Sequence, residues 1–203
     1  MKIIRSLTIG TGLAGMSVSV SAQDYPYEKW ANLWERTCGS IDSVYSVIEN
    51  PDAQGWIKAD ASSDEPAARI IEAAKMNAQG SIDDATLTSL FVLRQSNATT
   101  NALAAFQEMR FVAESNSYLL ACSLYDTGAP TMSTADLSRL SPERPFVDTS
   151  NNGLAVIEWP EGLEGSGRIK MTAGSIPEDH PGTKLLLGGL VLKTQYVFSE
   201  ETE

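Results

Sequence analysis

The sequence predicts an α+β fold, with a long N-terminal helix packed on a mainly antiparallel sheet in a single domain. Three observations point there. Apolar residues recur at helical spacing from Tyr27 to Ile48. The second half of the chain carries short apolar and alternating runs separated by Gly- and Pro-rich turns. Helices therefore come mostly first and strands afterwards, an order that favours α+β over a βαβ repeat.

The chain begins with a segment that does not belong to the fold. Lys2 and Arg5 form a short basic start, Leu7 to Val20 an apolar Gly/Ser-rich stretch, and Val20-Ser21-Ala22 a small-residue site. This is the pattern of a secretory signal, with cleavage expected after Ala22, and it is too short and glycine-rich for a stable span. Residues 23–203 then form one domain with a short acidic tail, "SEETE". Loss of Lys2 and Arg5 from the 15 basic residues leaves 13 against 26 acids, a net charge of −13. So acidic a chain is repelled by nucleic acid and anionic membranes. With 42% hydrophobic residues in periodic blocks, it is not a disordered polyanion.

Tyr27, Trp30, Trp34, Cys38, Ile41, Tyr45 and Ile48 form one helical stripe, which Gly39-Ser40 is placed to bend or split. Pro51 ends it. Asp64 is spaced to cap a second helix, with Pro66 in its first turn and Gly80 as its stop. Ser81 to Gln95 reads as a turn leading into a strand. Residues 101–113 are open between helix and strand, with a strand favoured from Phe106 to Ala113. Tyr118 to Tyr125 is a strand whose one face carries Leu120, Cys122 and Leu124. Ser133 and Asp136 have capping-box spacing ahead of a short helix. "GLAVIEW", "GRIKMTAG" and "LLLGGLVLKTQYVF" complete the strands.

The chain has two cysteines, and two in an exported protein ordinarily pair. Cys38 lies on the apolar stripe of the helix and Cys122 on the apolar face of its strand, so both point inward. A disulfide between them ties helix to sheet. A catalytic thiol needs a base, and the single histidine, His180, lies in the turn "PEDHPG".

One histidine and two separated cysteines leave no common zinc ligand set. The calcium candidate is "DTSNNG", with Asp148, Ser150 and Asn152 at the first, third and fifth positions. Its twelfth position is Trp159 rather than an acid, so a turn into the next strand is the stronger expectation. "EGLEGSGR" lacks the following helix that a phosphate loop needs. No nucleophile elbow is present, and the adjacent acid pairs sit in polar turns, where they read as solvated charges. No cofactor is implied.

Tyr25, off the helical stripe, is the aromatic residue expected at the surface and a candidate for binding. Gly188 and Gly189 interrupt an apolar strand, as a bulge or as a close approach to a ligand. The expected role is that of a periplasmic or secreted, non-catalytic protein binding an unknown protein partner or small ligand, with no membrane anchor after cleavage. The alternatives are a hydrolase whose carboxylates the fold brings together, and a structural envelope protein.

Overall fold

The computed structural model describes residues 21–80, 85–96, 102–111, 117–141, 145, 147–151, 153–159, 168–181 and 187–199. Residues 1–20, the 161–167 segment and the tail from 200 onward lie outside that set, as does Asn152.

The first helical stripe is two helices rather than one long helix: α1 (Tyr27–Cys38) and α2 (Ile41–Glu49). Gly39 closes α1, its N–H donating to the Glu35 carbonyl at 3.0 Å. Ser40 is extended, and its Oγ accepts from the Ser43 N–H at 3.1 Å. A serine in that conformation satisfies one of the free donors of a new helix, so the chain restarts instead of continuing. The stripe holds through α1, where Tyr27, Trp30, Trp34 and Cys38 are buried, but the break turns the register: in α2 Val44 and Val47 face the core, Ile41 and Ile48 are half-buried and Tyr45 is exposed.

Eight strands form one sheet in the order β1-β2-β3-β4-β8-β7-β6-β5, every neighbouring pair antiparallel. They are β1 (Trp56–Lys58), β2 (Ala85–Gln95), β3 (Ala102–Phe111), β4 (Ser117–Asp126), β5 (Val147–Asn151), β6 (Leu154–Trp159), β7 (Arg168–Ile176) and β8 (Gly189–Ser199). The last strand, β8, inserts between β4 and β7 and joins the two halves.

Helices cover both faces. On the first face α1 packs on β4 and β8, while the short α4 (Thr134–Leu137) packs on β5, β6 and β7. The α4 capping box is formed, with Ser133 and Asp136 side chains each bonding the other's backbone N–H. On the second face α3 (Glu65–Gly80) packs on β2 and β3. Asp64 holds α3 there: its Oδ1 accepts from the Ala67 N–H at 3.1 Å, capping the helix, and its Oδ2 lies 2.6 Å from Nη2 of Arg94 on β2. Asp64 is thus tied into the fold, whereas Glu65 beside it is exposed.

β3 settles the segment left open between helix and strand, and it begins at Ala102, before Phe106. Ala102, Ala104 and Phe106 join the core under α1, while Leu103 and Ala105 pack with Ala67 and Ile70 of α3. A strand buried on both faces loses its period-2 alternation. Cys38 and Cys122 form a disulfide with Cα atoms 5.5 Å apart, fully buried between α1 and β4. Around it, Trp34 Nε1 donates to Thr194 Oγ1 at 3.0 Å, and the Tyr196 hydroxyl donates to the Cys38 carbonyl.

Candidate functional site

Antiparallel pairing puts directly opposed residues on the same face of a sheet. One such row crosses six strands: Val92, Ala105, Ser123, Lys193, Thr172 and Glu158. Ala105 packs with α3, so the whole row lies on the second face. At its centre Lys193 stands between Ser123 of β4 and Thr172 of β7, two hydroxyls directly opposite it.

Above this row is a cavity of about 200 Å³. Its roof is Ile70, Ala73 and Ala74 of α3. Leu90, Ala105, Val191, Ile176 and Leu187 complete the apolar lining, and Gln107, Ser123, Tyr125, Thr172 and Lys193 supply the polar atoms. Small residues on α3 leave the space: a leucine at Ala73 or Ala74 would fill part of it. An enclosed, largely apolar pocket with a few converging polar groups is the usual form of a small-molecule site.

The polar groups are sheltered to different degrees: Gln107, Tyr125, Thr172 and Lys193 are half-buried. Ser123 is 7% exposed. Burial pushes the Tyr125 phenol above its ordinary range, partly offset by a hydrogen bond from Ser123. Burial, and then the like charge of Lys170, hold the Lys193 ammonium below the ordinary lysine range. Lys170 itself pairs with Glu158 at 2.8 Å. Among the described residues Lys193 has no carboxylate in ion-pair contact, and no Asp or Glu lines the cavity.

Two other depressions are less enclosed or more polar. One is shallow, lined by Tyr25, Tyr27, Lys29 and Arg139, whose guanidinium lies 4.1 Å from the centre of the Tyr27 ring. The other lies beside Arg36, Gln54 and Ser96. No described depression brings two carboxylates together.

The candidates named from sequence fall elsewhere. Cys38 and Cys122 are on the first face; on β4, Cys122 faces α1 and Ser123 the cavity. Tyr25 is not a surface residue: it is 5% exposed, and its hydroxyl donates to Asp126 Oδ2 at 2.7 Å. Burial, followed by the Asp126 charge, pushes that phenol far above its ordinary range. Its ring stacks on Trp30 at 6.3 Å. Gly189 opens β8 with φ +99°, and a Cβ there would sit 2.1 Å from the Asp126 carbonyl oxygen. The close approach is backbone to backbone, which only glycine allows. Gly188 precedes it, next to Leu187 of the cavity wall.

Asp148 and Ser150 lie in β5, paired opposite Ile157 and Ala155, and the turn expected before the next strand falls at Gly153, whose φ is +83°. Among the described residues no three His, Cys, Asp or Glu side chains form a group able to hold a metal ion.

Ser123, Tyr125, Thr172 and Lys193 did not stand out in the sequence. The available signal was Lys193, a charge inside the apolar run "LVLKTQYVF" on the side away from Leu192 and Thr194. Compared with known proteins, the chain matches no protein-family model, no curated protein and no solved structure.

Proposed function

We propose that the chain is an exported, non-catalytic protein that holds one small ligand in the cavity between α3 and the sheet. The carrying observation is a partly enclosed, largely apolar space of about 200 Å³ lined by Lys193 and three hydroxyls. A half-buried lysine carries a desolvation cost that a bound ligand relieves. The absence of acids from the described lining leaves hydrolysis by paired carboxylates without a supporting feature there.

Export is supported by the leader-like segment through Ala22 and by the disulfide, which belongs to oxidising compartments. No helix among the described residues is long and apolar enough to cross a membrane. Cleavage after Ala22 predicts Gln23 as the first residue of the exported form.

The test is a ligand-observed NMR screen of small aromatic and aliphatic compounds against the wild-type protein and Ala74→Phe. The added ring projects from α3 into the cavity. Hits that vanish in this variant support the proposal; hits that persist in it, or no hits with wild type, contradict it.

A further inference from the structure

Resting on that proposed cavity, we infer that its ligand is a small organic carboxylate with an apolar body about the size of a benzene ring. Lys193 receives the carboxylate, with Thr172 donating beside it.

Size restricts the ligand first. An apolar cavity of about 150 Å³ takes benzene, whereas drug-sized ligands occupy roughly 300–1,000 Å³. The 200 Å³ here fits one ring or a short chain with a single polar group.

Charge restricts it next. The groups around Lys193 are Lys170 and Thr172 on β7, Ser123 and Tyr125 on β4, Gln107 on β3 and Glu158 on β6 beyond Thr172. From α3, Ile70, Ala73 and Ala74 face the space. The one acid in this set, Glu158, is engaged by Lys170 at 2.8 Å. Lys193 is therefore a cation in partly dry surroundings, close to a second cation, with no counter-ion among the described residues. A partly buried charge is costly unless paired, and a bound anion supplies the pair.

Geometry agrees. Ser123 and Thr172 flank Lys193 at directly opposed register, so the ammonium and the Thr172 hydroxyl are neighbouring donors for two carboxylate oxygens, while Ser123 bonds Tyr125. The remaining lining is apolar and suits the body of the ligand. The whole chain carries net charge −11, so general anion attraction is disfavoured and the preference is local.

The experiment is calorimetric titration of the wild-type protein with benzoate, benzyl alcohol and benzylamine as probes, repeated with Lys193→Met. Benzoate binds more tightly than benzyl alcohol, and benzylamine most weakly. In Lys193→Met the affinity for benzoate falls about tenfold or more, the loss expected for a charged hydrogen bond, while benzyl alcohol loses less, so the preference for benzoate disappears. Should that variant not fold, the wild-type pH profile decides. A bound carboxylate raises the Lys193 pKa, so affinity is full below the free-protein value and is lost as pH rises through it; benzyl alcohol shows no such loss. Equal binding of benzoate and benzyl alcohol, or preference for benzylamine, overturns the carboxylate inference and leaves the cavity proposal standing. Binding of none of the three overturns both.

Discussion

Reducing the Cys38–Cys122 disulfide perturbs the fold without changing any other atom of the chain. The bond links residues 84 apart in sequence. Chain entropy gives such a cross-link a stabilisation of about 4–5 kcal/mol at 25 °C, gained by restricting the unfolded state. That is a large share of the roughly 5–15 kcal/mol typical of a domain. For a domain of this length it corresponds to a fall in Tm of about 10–20 °C. The assay is urea unfolding with and without a phosphine reductant, followed by fluorescence of Trp30, Trp34, Trp56 and Trp159, all buried. The reduced chain also exposes more surface when unfolded, so its m value rises. A loss below about 1 kcal/mol with an unchanged m value refutes the reasoning, since a long-loop cross-link acts through the unfolded chain.

Gly189→Ala forces a Cβ to within 2.1 Å of the Asp126 carbonyl oxygen at φ +99°. It should cost about 2–3 kcal/mol or more in urea unfolding. Tyr25→Phe removes the 2.7 Å bond to Asp126 and leaves that buried carboxylate with Gly128 N–H, at 3.0 Å, as its other described donor. The expected loss is about 1–3 kcal/mol, measured the same way. Hydrogen bonds from the Ser133 hydroxyl and N–H hold the Asp136 carboxyl below the usual range. A depressed native pKa contributes stability that is complete above the unfolded value, about 4, and is lost as pH falls through the native one. Asp136→Asn should therefore show a shallower decline in Tm between about pH 5 and pH 2.

The α1 part of the stripe was legible because one face repeats at helical spacing, and it placed Cys38 inward beside Trp34; past the break at Gly39-Ser40 the register turned, so Val44 and Val47 rather than Ile41, Tyr45 and Ile48 line the core. Ser133 with Asp136, and Asp64 before Pro66, were legible because caps are local chemistry. β3 was not, since alanines buried on both faces carry no alternation. Tyr25 was misplaced because its partner, Asp126, lies 101 residues away. The cavity was illegible for the same reason on a larger scale. Ser123, Thr172 and Lys193 become neighbours only because β8 enters between β4 and β7, and strand order and register are not written in local spacing.

The most direct test of ligand binding in this cavity is an amide NMR titration of the wild-type protein with benzoate. Saturable shifts confined to Ser123, Tyr125, Thr172, Val191 and Lys193, with the α1 face around Trp34 and Cys38 unmoved, are the predicted result. Shifts clustered instead around Tyr27 and Arg139, or none at millimolar benzoate, would contradict it.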